Sequence, residues 1–262
     1  MARPLLKPLT KPTEASRHAY IISGLGGHAL QFRPLANVLL PDWHLTGVLY
    51  PIYAGGEKTC ASVAELSAPL RAALAPEEDP LVLIGYSFGG AVAYQIAADL
   101  RAQGRRVAVV CIDTSVRSLR RRPQRLARKL RNLFYKKPRK LLKKLRSGIH
   151  PQDTKNAPAS WQPEDENVRA FIEESRRAMR LYAPPCTDVP VVLIRAAAHY
   201  DWKQWLDGNF WPSPTHGWSR VAPIAGVVRG PGDHLSIIAP RNIQALGKAM
   251  DEALAKAFAF LD

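Results

Sequence analysis

Ser87 is the residue of this 262-residue chain best placed to act as a nucleophile. It stands in Gly85-Tyr86-Ser87-Phe88-Gly89-Gly90, between the apolar run Leu81-Val82-Leu83-Ile84 and the segment Ala91-Val92-Ala93-Tyr94-Gln95-Ile96-Ala97. That order reads as a buried parallel strand, a tight turn and a helix, and a serine at such a corner projects its hydroxyl above the sheet from a strained backbone. Glycines two residues before and two after it are required because strand and helix backbones nearly collide at the turn. The chemistry implied is covalent catalysis through the serine oxygen.

A hydroxyl needs a base and an orienting acid to attack at neutral pH, and after such a turn the acid is expected first and the histidine second. Four histidines follow Ser87: His150, His199, His216 and His234. His234 sits in the loop Gly230-Pro231-Gly232-Asp233-His234-Leu235-Ser236, after the apolar strand Ala225-Gly226-Val227-Val228 and before the last helix. Loops in that position rise above the carboxyl edge of a parallel sheet, where sites assemble. His234 is therefore the expected base. His150, beside a proline in a basic segment, and His216, in a tryptophan-rich loop, read as surface or packing residues. Two carboxylates compete for the acid. Asp113 ends the run Val107-Ala108-Val109-Val110-Cys111-Ile112, whereas Asp201 follows the next strand, Val191-Val192-Leu193-Ile194-Arg195, at six residues' remove. Asp113 is favoured because a strand end fixes it in space, and Asp201 stays as the alternative. Asp233 reads as a loop-ordering residue.

The elements that must hold these groups alternate along the chain. Strands are expected at 19–23, 45–50, 81–85, 107–112, 191–195 and 225–229, and helices at 31–40, 62–75, 88–103, 167–182 and 241–260. The alternation predicts an α/β fold, a mainly parallel sheet with helices on both faces. Pro69 argues against one unbroken helix over 62–75. Residues 1–18, with Pro4, Pro8 and Pro12, read as a flexible leader or linker, and 19–262 as a single domain. No apolar run approaches a membrane span, and three widely spaced cysteines suit neither a disulfide framework nor a zinc site, so a cytoplasmic protein without metal is expected.

The formal net charge is +15, and it is not spread evenly. Fifteen of the 37 lysines and arginines fall between Arg117 and Arg146, and without them 22 basic residues would face 22 acidic ones. Leu126, Leu130, Leu133 and Phe134 share one helical face there; Pro138 breaks the pattern, and Leu141, Leu142 and Leu145 begin a second amphipathic piece.

Taken with Gly24-Leu25-Gly26-Gly27-His28, Phe32-Arg33-Pro34-Leu35-Ala36, Gly47-Val48-Leu49-Tyr50-Pro51, Ala98-Asp99-Leu100-Arg101-Ala102-Gln103-Gly104, Ile112-Asp113-Thr114-Ser115 and Gly232-Asp233-His234-Leu235-Ser236, the Ser87 motif resembles a particular family. The chain looks like an α/β-hydrolase thioesterase, of the chain-releasing kind that ends polyketide, nonribosomal peptide and fatty acid synthases. The resemblance runs through most of the chain in the family's order. It implies Ser87 as nucleophile, Asp113 as acid and His234 as base; in discrete editing thioesterases the acid usually lies one strand later, which would select Asp201. An oxyanion hole is expected from the Phe88 amide and from Leu25 or Gly26, with Leu25 preferred on the family's pattern.

The resemblance also implies that residues 114–188, about where release thioesterases carry a lid, form a helical lid over Ser87. Arg120, Arg121, Arg122, Lys136, Lys137, Arg139 and Lys140 would then make a docking surface for an acidic acyl or peptidyl carrier protein or for its phosphopantetheine phosphate. A solvated outer face and contact with an anionic membrane are the other readings. Nucleic acid is not expected, since no recognised reading module accompanies the charge. Trp202, Trp205, Trp211 and Trp218 would stand beside the site mouth, either walling an acyl pocket or packing on the lid or sheet. No cofactor is expected, the acyl thioester arriving on a phosphopantetheine arm. The remaining alternatives are a carboxylester or lipid hydrolase of the same fold, an editing (type II) thioesterase, and a non-catalytic relative that binds a membrane or partner.

Overall fold

The computed structural model describes residues 4–10, 17–56, 60–116, 165–198 and 213–261. Seven strands form one sheet: β1 (Leu6–Pro8), β2 (Arg17–Ile22), β3 (Trp43–Val48), β4 (Leu81–Tyr86), β5 (Val107–Ile112), β6 (Val191–Ala196) and β7 (Ile224–Gly230). Their spatial order is β1-β3-β2-β4-β5-β6-β7. Among the described residues only β1 runs antiparallel; every other pair is parallel. Between them stand α1 (Arg33–Ala36), α2 (Val63–Leu74), α3 (Phe88–Arg101), α4 (Glu166–Leu181) and α5 (Ile243–Phe258).

Strand side chains alternate between two cores, as a two-residue period requires. Tyr20, Ile22, Leu81, Leu83, Val107, Val109, Val191 and Leu193 face the core closed by α2, α3 and α4. Ala19, Ile21, Val82, Ile84, Ala108, Val110, Val192 and Ile194 face the core closed by α1 and α5. Residues buried on both faces explain why the middle strands read as unbroken apolar runs. The mainly parallel sheet with helices on both faces is the α/β-hydrolase arrangement expected from the chain.

The structure departs from the sequence reading in four places. Within the segment read as a leader, Leu6–Pro8 pair with Val48, Gly47 and Thr46. Pro8, which has no N–H to give, is tolerated because this is an edge strand. α2 continues through Pro69, which lies on the exposed face; the Glu65 carbonyl released by the missing N–H therefore stands where water can reach it. The helix expected over 31–40 is a 3₁₀ turn, Ala29–Phe32, followed by the single turn α1; Pro41 disfavours helix at Leu40. Finally, the ends of the stretch read as a lid belong to the body. Residues 165–188 and 114–116 group with it, and Phe171 of α4 is fully buried, its ring centred 5.4 Å from that of Tyr50. Burying one such ring stabilises the fold by about 1.5–3 kcal/mol.

Among the described residues no helix is long and apolar enough to cross a membrane, and no group of three or more His, Cys, Asp or Glu could hold a metal ion. Cys60 and Cys111 are buried free thiols, and Cys186 is exposed. Burial pushes the Cys111 thiol far above its ordinary range.

Candidate active site

Ser87 follows β4 and caps α3 with φ 53° and ψ −117°, a positive-φ conformation that an L-residue holds only under constraint. The constraint is the crossing of strand and helix. A Cβ on Gly85 would lie 2.3 Å from the Gly89 carbonyl oxygen, and one on Gly89 would lie 2.4 Å from the Ile22 and Ser23 carbonyl oxygens. The Ser87 N–H continues the sheet ladder to the Ile112 carbonyl at 3.0 Å, and the Thr114 hydroxyl donates to the Ser87 carbonyl at 2.9 Å. With Tyr86 paired to Ile112, the next residues, Ser87 and Asp113, leave adjacent strands together.

Asp113 also takes a left-handed turn, φ 47°, and its N–H reaches the Ile194 carbonyl at 2.8 Å. Its carboxylate is only 4% exposed. Oδ2 lies 2.9 Å from His234 Nδ1, and Oδ1 accepts the Ala196 N–H at 3.1 Å. Burial pulls the Asp113 pKa up, but the His234 hydrogen bond and charge, the Ala196 amide and His216 outweigh it, so the group stays below the ordinary carboxylate range. On the far side of the imidazole, His234 Nε2 lies 2.9 Å from Ser87 Oγ. With its proton on Nδ1 toward Asp113, that ring presents a bare Nε2 to the hydroxyl. The arrangement can take the serine proton as Oγ attacks an electrophile.

His234 is held by groups whose importance the sequence did not signal. The Tyr86 hydroxyl donates to the His234 carbonyl at 2.6 Å, and its ring stacks on the imidazole at 5.4 Å between centroids. Asp233 turns away and orders the loop, its Oδ1 accepting from the N–H groups of Leu235 and Ser236 and from the Ser236 hydroxyl.

Above the nucleophile, Gly24 to Gly27 make a tight turn closed by Gly27 N–H to the Gly24 carbonyl at 3.1 Å, with Gly26 at φ 63°. The turn lies against Ser87: a Cβ on Gly24 would come 3.4 Å from the serine's own Cβ. Its shape is pinned by hydroxyls, Tyr53 to the Gly26 carbonyl, Ser23 to the Gly27 carbonyl, and Tyr50 to the Ser23 carbonyl at 2.6 Å. The Phe88 amide, first in α3, has no carbonyl inside its own helix to bond. The Leu25 amide takes no part in the turn's hydrogen bonds.

Of the other residues singled out by sequence, His216 is neither a surface residue nor simple packing. It sits beside Asp113, Nδ1 to Oδ1 3.9 Å. Trp218 packs into the body instead of walling a pocket; it is fully buried, its ring centred 4.8 Å from that of Tyr94 and tilted to it, and it donates its indole N–H to the Thr114 carbonyl at 2.9 Å. Asp201, Trp202, Trp205, Trp211, His150, His199 and the basic residues Arg120, Arg121, Arg122, Lys136, Lys137, Arg139 and Lys140 lie outside the described residues.

Comparison with known proteins follows the same lines. A 91-residue stretch is 39% identical to enterobactin synthase component F of Escherichia coli (strain K12), covering 34% of this chain and 7% of that protein. The chain thus spans a small fraction of the curated relatives it matches. Among solved structures, the thioesterase domain of NocB from the nocardicin cluster superposes with a TM-score of 0.62 at 21% identity, covering 91% of this chain and 94% of that one. The type II thioesterase BorB from the borrelidin biosynthetic cluster gives 0.64 at 17% identity, covering 97% and 98%. Likeness at these identities speaks for the fold. The model of the thioesterase domain family matches residues 20–253, from β2 into α5. The chain therefore belongs to the thioesterase domain family, and it is a thioester hydrolase of the α/β-hydrolase fold.

Proposed function

We propose that this protein is a serine thioesterase that releases an acyl, polyketide or peptidyl chain from a phosphopantetheine thioester on a carrier protein, through an acyl-Ser87 intermediate. The observation that carries the reading is the run of two 2.9 Å contacts, Ser87 Oγ to His234 Nε2 and His234 Nδ1 to Asp113 Oδ2. As Oγ bonds the thioester carbonyl carbon, its proton passes to His234 Nε2 and the carbonyl electron pair moves onto oxygen. The Leu25 and Phe88 amides receive that oxyanion, and buried Asp113 stabilises the imidazolium. Collapse re-forms the carbonyl and breaks the C–S bond; the thiol leaves with the proton from His234. Water, or a hydroxyl or amine of the chain itself, then repeats the attack on the acyl-serine and gives hydrolysis or cyclisation.

Chain release, rather than editing, is supported by the acid's position after β5. A carrier-bound substrate is supported by kinship to a synthase component and to thioesterases of biosynthetic clusters. For the carrier we propose an acidic surface, because the chain's excess positive charge lies in one segment. Intact-mass analysis after exposure to a panel of acyl-pantetheine thioesters and plain esters tests the reading. An acyl adduct on Ser87, formed faster from thioesters carrying long or peptidyl chains, is the expected result. Faster turnover of free esters indicates a carboxylester or lipid hydrolase, preference for short acyl groups an editing enzyme, and the absence of any adduct removes the covalent mechanism.

A further inference from the structure

His216 is a second imidazole at Asp113, and the Ser87–His234–Asp113 chemistry leaves it without a role. Its ring faces Oδ1, the oxygen not taken by His234, with Nδ1 at 3.9 Å. At that separation the contact is electrostatic rather than a hydrogen bond. On the opposite edge, His216 Nε2 lies 3.2 Å from Arg195 Nε. A guanidinium nitrogen can only donate. Nε2 must therefore be the bare, accepting nitrogen, and the ring proton is left on Nδ1, turned toward Asp113.

The loop is built to keep the ring there. His216 has φ 49°, its carbonyl accepts the Val116 N–H at 3.0 Å, and its own N–H bonds the Ser213 carbonyl at 3.1 Å. Two residues on, Trp218 is buried and tied by its indole to the Thr114 carbonyl, next to Asp113. The His216 side chain is 10% exposed. Among the described residues, Asp113, Arg195 and His234 are the charged or titratable groups facing it, one from each surrounding segment. Burial, the largest influence, draws its pKa below that of a free imidazole against the pull of Asp113, in keeping with a neutral ring.

We propose that His216, fixed as the neutral Nδ1–H tautomer by Arg195, is a positioning residue that holds Asp113 with Oδ2 toward His234. The inference rests on the triad reading above. The positive end of the Nδ1–H dipole favours the Asp113 anion and opposes rotation of the carboxylate, which would carry Oδ2 away from the catalytic imidazole. In this role His216 acts through Asp113 and not on the reacting atoms.

Long-range ¹H–¹⁵N NMR of the ¹⁵N-histidine-labelled protein reads the tautomer directly and needs no turnover. The expected spectrum has a neutral His216 protonated at Nδ1 across neutral pH, with the tautomer released in Arg195→Met. An Nε2–H tautomer or an imidazolium would overturn the proposal. Kinetics supply the second test. In His216→Asn the amide Nδ2 takes the place of the Nδ1–H donor, whereas His216→Leu fills the buried site without a donor. The Leu variant should lose about tenfold to a hundredfold in kcat with KM little changed, as expected for a group acting through another, and the Asn variant should recover most of it. Equal activities in the two variants, high or low, would show that only packing matters. Failure of the triad reading is seen separately, as turnover by Ser87→Ala, and leaves the tautomer measurement standing.

Discussion

Tyr86 holds His234 at two points, its ring stacked on the imidazole and its hydroxyl bonded to the same residue's carbonyl at 2.6 Å. The residue before the proposed nucleophile thus orients the proposed base. Tyr86→Phe keeps the stack and loses one hydrogen bond, so kcat should fall by about threefold to tenfold, the equivalent of a bond of about 1 kcal/mol. Tyr86→Leu, which also loses the stack, should fall further, with KM little altered in both. Steady-state kinetics showing a change in KM alone would place Tyr86 in substrate binding instead.

Ser87→Ala and Ser87→Gly should both be inactive, yet differ in stability. The φ of 53° strains any residue with a Cβ. Glycine relieves that strain, and Ser87→Gly should be more stable than Ser87→Ala by about 1 kcal/mol, at the low end of such backbone strain. Denaturant midpoints check the ranking.

Asp113→Asn should slow turnover by roughly three to four orders of magnitude, as in other Ser-His-Asp sites. Asp201→Asn should slow it far less. The reverse order, measured as kcat on one thioester, would move the acid to the loop after β6.

Gly89→Ala is predicted to be more damaging than any substitution of a site side chain. Its Cβ would stand 2.4 Å from two backbone oxygens of the β2 end, which cannot move without parting the helix from the sheet. Loss of soluble, cooperatively unfolding protein is the expected outcome; near-normal thermal unfolding would contradict the close approach.

Acid should destabilise the fold through its histidines. His28, His44 and His216 all have pKa values below that of free imidazole, in each case through burial first. The unfolded chain therefore binds protons that the folded chain refuses, so stability is full above about pH 6.5 and is lost as pH falls through the folded values. Tm should decline on acidification through that window, and the slope should be shallower in His216→Asn. Asp113, held below the ordinary carboxylate range, extends the loss at lower pH in the same direction. A Tm that rises on acidification just below neutrality would contradict this.

Much of this architecture is legible in the chain because its constraints are local. β4, β5 and β6 are buried on both faces and announce themselves as apolar runs; the Ser87 corner announces itself because only glycine fits at 85 and 89. What escaped is either short or made by distant partners. β1 has three residues, none of them buried, and no periodicity to detect. His216, Tyr86 and Thr114 acquire their parts from contacts across 21 to 148 positions of sequence, with Trp218 and Arg195 fixing the details. Trp218 is legible only as a choice between pocket wall and packing, and the buried Tyr94 and the Thr114 carbonyl select packing.

The latch between Val116 and His216 marks where the chain quits the framework, and the Asp165 cap of α4 marks where it returns. A stretch bracketed in this way can be lengthened, shortened or recharged while Ser87, Asp113 and His234 keep their spacing. Exchanging that stretch then asks whether partner choice travels with it while the Ser87, His234 and Asp113 contacts stay in place. Graft experiments that exchange residues 117–164 between relatives have their natural joints at Val116 and Asp165.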